Sequence, residues 1–89
     1  MGNNAFKINA RDNIVVATQP IKKGEAVVVD GEPLIDAVED IAAGYKVAIV
    51  EVAEGKKVYC YGEPIVEATR TIRPGEWTHV HNTRPIPGA

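Results

Sequence analysis

The stretch Gly31-Glu32-Pro33-Leu34-Ile35-Asp36-Ala37-Val38-Glu39-Asp40-Ile41 returns 31 residues later as Gly62-Glu63-Pro64-Ile65-Val66-Glu67-Ala68-Thr69-Arg70-Thr71-Ile72. Read alone, the first copy is ambiguous, because apolar residues at 34, 35, 38 and 41 also fit one face of a helix. The second copy is rich in β-branched residues and reads as strand. Two copies of one unit share one backbone, so both are read as strands. The correspondence extends without a gap, residues 21–51 lying over 52–82. Identical pairs include Gly24/Gly55, Val27/Val58 and Gly44/Gly75, with conservative pairs such as Ile21/Val52 and Ile49/Val80 between them. This is a tandem duplication.

Within each copy an apolar residue is followed three positions later by glycine, at Ile21–Gly24, Ile41–Gly44, Val52–Gly55 and Ile72–Gly75. Glycine supplies the positive φ of a tight turn, so a short strand is expected just after each one. Gly-Glu-Pro at 31–33 and 62–64 is expected to form the turn between strands, its proline kept out of a central ladder. Upstream, Phe6–Ile8 and the β-branched Ile14–Thr18 are expected strands, separated by a turn at Asp12-Asn13 whose side chains can bond their own backbone. Residues 1–5 read as a disordered start, 6–83 as a single domain, and 84–89, with two prolines and a glycine, as an extended tail or linker. No segment reads as a long helix. The expected class is all-β, a small clip-like or barrel-like domain of short strands.

A chain of 89 residues supports one small core and leaves no length for a deep enclosed active site. Twelve acids against ten bases give a net charge of -2, and the longest basic runs are the pairs Lys22-Lys23 and Lys56-Lys57. That excludes a nucleic-acid footprint. No apolar run approaches the length of a membrane span, and the first residues lack the apolar core of a leader. With one cysteine, Cys60, no internal disulfide can form, and a reduced, cytoplasmic setting is expected.

Both histidines and the only tryptophan fall within Gly75-Glu76-Trp77-Thr78-His79-Val80-His81-Asn82. As a strand this stretch would send Trp77, His79 and His81 to one face and Thr78, Val80 and Asn82 to the other. Imidazoles two residues apart then lie roughly 6 to 7 Å apart at the backbone, within reach of one metal ion or one anionic group. A metal needs further ligands that the spacing does not supply, so two half-exposed strand histidines remain the alternative. The duplication is an internal control: His79 lies opposite Ala48 and His81 opposite Val50, so the fold does not itself call for imidazole at either place. Cys60, opposite Val29, reads as a small buried hydrophobe with no dyad around it. No residue is assigned as general acid or base.

These motifs resemble the SAF-type domain of the altronate/galactarate dehydratase family, which also occurs as a free-standing small subunit of the sulfolactate sulfo-lyase type. The carriers are Asp12-Asn13-Ile14-Val15-Val16-Ala17, Ile41-Ala42-Ala43-Gly44-Tyr45-Lys46-Val47-Ala48, Tyr61-Gly62-Glu63-Pro64-Ile65, and Ile72-Arg73-Pro74-Gly75-Glu76-Trp77-Thr78-His79-Val80-His81-Asn82. The resemblance implies a β-clip fold. It also implies a small subunit or domain of a metal-dependent hydroxy-acid lyase, working with a large catalytic partner of the same family on a small hydroxy acid. It offers His79 and His81 as metal ligands, and Asn82, Asp12 and Asn13 as substrate-binding residues. The metal would be Fe2+ or Mn2+, held jointly with the partner. A non-catalytic sugar-acid-binding or chaperone-like module is the alternative, and self-association is left open. Two positions depart from the family pattern: Cys60 precedes Tyr61-Gly62 where lysine is usual, and Val66 follows Ile65 where glycine is usual. Losing that lysine removes a cation able to pair with a substrate carboxylate.

Overall fold

The structure is a computed structural model and describes residues 2–87. The expectations for Met1, Gly88 and Ala89 fall outside the described residues. Nine short strands form: β1 Ala5–Phe6, β2 Ile14–Ala17, β3 Ala26–Val29, β4 Glu32–Asp36, β5 Lys46–Ala48, β6 Lys57–Cys60, β7 Glu63–Ala68, β8 Trp77–Thr78 and β9 Thr83–Arg84. No helix occurs among the described residues, so the all-β class is borne out. The central sheet has the order β1-β2-β5-β8, and two further antiparallel units, β3-β4 and β6-β7-β9, pack against it.

The duplication is visible bond by bond. Ile21 pairs with Ile41 through an isolated bridge, as Val52 does with Ile72. Hairpins β3-β4 and β6-β7 share one register and one bulge, between Val27 and Val28 in the first and between Val58 and Tyr59 in the second. As expected, β3, β5, β6 and β8 each begin two residues after their glycine. The hairpin turns lie one residue earlier than the sequence reading places them. Their central residues are Asp30-Gly31 and Tyr61-Gly62, all at positive φ, as a two-residue type I′ turn requires. Glu32-Pro33 and Glu63-Pro64 belong to the strands, with each proline just after the register shift. A bulge interrupts the ladder where proline has no N–H to offer.

The central strands repeat as well. The pair Ala5↔Ala17 has as its image Ile14↔Ala48, whose own image under the 31-residue shift is Tyr45 beside His79. Successive images fall on opposite faces of the sheet, since side chains alternate along a strand. Hairpin β3-β4 covers the first pair in a core of Ala5, Val15, Ala17, Ile21, Val27, Val29, Ala37, Ile41 and Val47. Hairpin β6-β7 covers the second, on the opposite face, in a core of Ile14, Ala48, Val52, Val58, Cys60, Ala68 and Ile72. Strands β2 and β5 contribute to both cores.

Two boundaries move. Residues 2–5 were expected to be disordered, yet Asn4 is buried and its amide accepts from Val28 N at 2.8 Å and donates to Ala26 O at 2.8 Å, while Asn3 Oδ1 accepts from Gly31 N at 2.7 Å. At the other end Arg84, placed in the tail by sequence, pairs in β9 with Glu67 of β7, and its Nε donates to Glu67 Oε1 at 2.7 Å. Both departures arise because a polar side chain finds its partner far along the chain, which local composition does not reveal.

Candidate functional site

Strand β8 ends at Thr78, so His79 and His81 stand on a turn and not on the extended strand expected. Asn82 makes that turn. It has no exposed surface; its Oδ1 accepts from His79 N at 2.9 Å and its Nδ2 donates to Trp77 O at 2.8 Å. A buried amide must satisfy both ends, and here the two bonds close the chain back on itself. Thr83 Oγ1 adds a bond to His79 O at 2.7 Å. The expected grouping of rings nevertheless forms: the indole of Trp77 stacks on His79 at 5.1 Å and 11°, and lies 4.9 Å from the His81 ring. Tyr45 meets Trp77 and His79 edge-on at 5.5 and 5.3 Å. Glu39 Oε2 accepts the Trp77 N–H at 3.0 Å, which occupies the outer edge of β8.

Tyr45, Trp77, His79 and His81 thus make an aromatic surface at the open end of the central sheet. Its place in the repeat is informative. The pairs Ala5↔Ala17 and Ile14↔Ala48 each lie under a hairpin, whereas no hairpin among the described residues covers their third image, Tyr45 beside His79. Tyr45 is 40% exposed and both histidines are exposed. Imidazole and phenol replace the alanines and isoleucine that the covered positions carry.

The metal expectation meets a limit in the donor set. No group of three His, Cys, Asp or Glu side chains able to hold an ion occurs among the described residues. His79 and His81 could supply two ligands, and a structural or catalytic site needs at least one more from elsewhere.

The fold engages the side chains of all three residues offered for substrate binding, Asp12, Asn13 and Asn82. Asp12 is buried, and its carboxylate accepts from Asn9 N, Tyr61 N and Gly62 N at 3.1, 3.1 and 2.8 Å. Asn13 accepts from Tyr59 N and donates to Lys57 O. The bonds with Gly62, Tyr59 and Lys57 match those that Asn3 and Asn4 make with Gly31, Val28 and Ala26, each hairpin partner standing 31 residues further on. Asp12-Asn13 and Asn3-Asn4 are therefore equivalent staples, each tying a hairpin to the sheet. Cys60 is buried in the second core, as expected. The residues that sequence reasoning passed over are Tyr45, Lys46 and Thr78. Their signal lies in carrying the repeat backward, so that Ile14-Val15-Val16-Ala17 aligns with Tyr45-Lys46-Val47-Ala48 and Glu76-Trp77-Thr78-His79.

A small all-β domain built from two hairpins on a shared sheet, with an aromatic and histidine surface at its open end, defines the class. Residues 3–85 match the family model of the altronate/galactarate dehydratase SAF domain, and the chain belongs to that family. It is 38% identical over 79 residues to an altronate dehydratase of Bacillus subtilis (strain 168) and 40% identical over 79 residues to one of Escherichia coli (strain K12). In each comparison the alignment takes in 89% of this chain and 16% of the relative. The chain therefore spans about one-sixth of the length of these relatives. No helix of the described residues is long and apolar enough to cross a membrane.

Proposed function

We propose that this chain is the SAF domain, as N-terminal domain or small subunit, of a cytoplasmic hydroxy-acid lyase of the altronate/galactarate dehydratase type. It acts with a large catalytic partner of the same family on a small hydroxy acid. The observation that carries this reading is the uncovered pair Tyr45 and His79, with Trp77 and His81 beside it, in a chain that corresponds to 16% of its dehydratase relatives. In the repeat that position receives a covering element, and the remainder of the enzyme would provide it.

Dehydration of a hydroxy acid removes a proton α to the carboxylate and expels the β-hydroxyl, so negative charge develops on the carboxylate side. His79 and His81 would contribute two ligands to a divalent metal, Fe2+ or Mn2+, whose other ligands come from the partner; bound there, the metal would act as a Lewis acid toward that charge. The chain's own part is to hold the two imidazoles. Asn82 and Thr83 fix the turn on which they stand, and Trp77 fixes their rings. The partner's cover excludes water from the space between them.

The test is reconstitution. This chain is mixed with an altronate dehydratase from which the SAF domain has been deleted, and consumption of altronate is followed with Fe2+ or Mn2+ present. Restored turnover that falls at least tenfold with His81→Ala supports the reading. A complex that forms without turnover favours the non-catalytic binding module.

A further inference from the structure

The two corners where a hairpin meets its staple share one backbone and carry opposite charge. At the first corner, beside Asn3-Asn4, Gly2, Glu25, Ala26 and Val28 line a hollow of about 450 Å³, and Asp30 stands in the hairpin turn. At the second, Arg11 precedes the staple as Gly2 does, and the 31-residue shift replaces Glu25, Ala26, Val28 and Asp30 with Lys56, Lys57, Tyr59 and Tyr61. Over these positions the first corner has two carboxylates and no cation, and the second three cations and no carboxylate. The staple gathers the second set. Asn13 accepts from Tyr59 N at 2.8 Å and donates to Lys57 O at 3.1 Å, and the Arg11 guanidinium lies 6.0 Å from the centre of the Tyr59 ring.

The fold does not call for these residues. Glu25 Oε1 accepts from Lys22 N at 2.9 Å and Glu76 Oε1 from Arg73 N at 2.8 Å, each closing its own turn. Lysine at the equivalent position 56 has no acceptor with which to do so. Tyr61 is 59% exposed and holds φ 58, a conformation that suits its counterpart Asp30 better. Arg11, Lys56 and Lys57 are exposed, and the only ion pair among the described residues joins Arg84 to Glu67, the register partner of Lys57. The carboxylate of the staple itself, Asp12, is buried and bonded to three N–H groups. What remains is three cations without carboxylate partners, one of them a guanidinium beside an aromatic ring, and two tyrosines. Arginine and tyrosine together are the residues that anchor protein interfaces.

We propose that this corner docks an acidic polypeptide segment, its carboxylates on Arg11, Lys56 and Lys57 and its backbone against Tyr59 and Tyr61. A compact anion such as phosphate is held by converging backbone N–H groups, and those of Tyr59, Tyr61 and Gly62 are already bonded to the staple. Three cations on a chain of net charge -2 are too few for a nucleic-acid track. An extended segment with several carboxylates matches cations spread over the surface of a corner. On the lyase reading this segment belongs to the large catalytic partner; only the identity of its owner rests on that reading. The aromatic and histidine surface shares no residue with the corner, so docking and chemistry can be separated by mutation.

The experiment titrates the full 89-residue chain, isotope-labelled for NMR, with hexaglutamate at low ionic strength. Hexaglutamine serves as the uncharged control and hexathymidylate as a polyanion of another class. Saturable shifts of the Arg11 Nε–H and of the Lys57 and Tyr61 amides are expected with hexaglutamate and none with hexaglutamine. Lys56→Glu, Lys57→Ala and Arg11→Gly install residues that the first corner carries on the same backbone, so these variants fold. Lys56→Glu with Lys57→Ala should weaken hexaglutamate by at least about tenfold and Arg11→Gly by about threefold, whereas Lys23→Gln, outside the corner, should leave it unchanged. Shifts that do not saturate, an affinity unmoved by the exchanged pair, or hexathymidylate binding as tightly as hexaglutamate would overturn the proposal. Mixed with an altronate dehydratase from which the SAF domain has been deleted, the exchanged pair should need more protein for half-maximal turnover yet reach the same maximum, whereas His81→Ala lowers the maximum. Hexaglutamate binding without reconstituted turnover upholds the corner while the lyase reading fails. Turnover without hexaglutamate binding has the opposite meaning.

Discussion

An amide side chain with no exposed surface must find partners for both its ends, and Asn82 finds them on Trp77 and His79. Asn82→Ala leaves a buried carbonyl and a backbone N–H unpaired, at a cost of about 2–4 kcal/mol. Urea unfolding should show that loss, and the near-UV circular dichroism of Trp77 should weaken as the histidine rings lose their fixed turn. Asn82→Asp keeps the acceptor but sets an oxygen against Trp77 O, so it too should destabilise. Burial pushes the Cys60 thiol above its ordinary 9.0, with the Asp12 charge adding to the effect and Lys46 and the Tyr61 N–H opposing it. The unfolded chain ionises this thiol first. Stability is therefore full below about pH 9 and falls as the pH rises from there toward the folded value. In Cys60→Val, which copies Val29 of the first core, that decline should be absent from denaturation curves measured across the same range.

At the scale of the strands and turns, the two hairpins share one geometry with unequal residues. Asp30-Gly31 is a favoured type I′ pair, whereas Tyr61 holds φ 58 with a bulky side chain. Three N–H bonds to Asp12, two of them from Tyr61 and Gly62, hold the second turn in place. Tyr61→Asn should raise stability by about 0.5–1 kcal/mol, read from the urea midpoint. Gly44 and Gly75 hold equivalent places at φ 85 and 91, but their surroundings differ. A Cβ at Gly44 meets open space, while at Gly75 it would run into Asp36 O and Val38 of the first hairpin. Gly44→Ala should cost about 1–2 kcal/mol from backbone strain alone. Gly75→Ala should cost clearly more, because the hairpin must also retreat from β8. Thermal unfolding of the two variants side by side measures the difference.

On the scale of the whole molecule, the halves cannot separate. β2 gives Val15 and Ala17 to one core and Ile14 to the other, and β5 divides Val47 and Ala48 in the same way. Neither repeat closes a core with its own strands alone, so unfolding should be a single cooperative transition. The chain carries its own reporters: Trp77 packs against the first core and Cys60 lies within the second. Tryptophan fluorescence and thiol reactivity should give the same urea midpoint; two separated midpoints would show that the cores are independent.

The 31-residue shift, the glycine positions and the β-branched second copy were enough to read the all-β class and the hairpin pairs, because they are local or periodic signals. The gathering of Trp77, His79 and His81 was legible too, although a turn closed by Asn82 brings it about and not the strand alternation. The structural bonds of Asp12 and Asn13 were not legible from residue type, since a carboxylate or amide that grips a substrate looks the same in sequence as one that grips backbone N–H groups 40 or more residues away. Asn3 and Asn4 stayed hidden for the same reason. Only the tertiary structure separates the covered pairs Ala5↔Ala17 and Ile14↔Ala48 from the uncovered pair Tyr45 and His79, and only it gathers Arg11, Lys57 and Tyr59 at one corner. Burial and hydrogen-bond satisfaction depend on which segments meet, and a duplicated sequence makes its halves alike without deciding what lies against each of them.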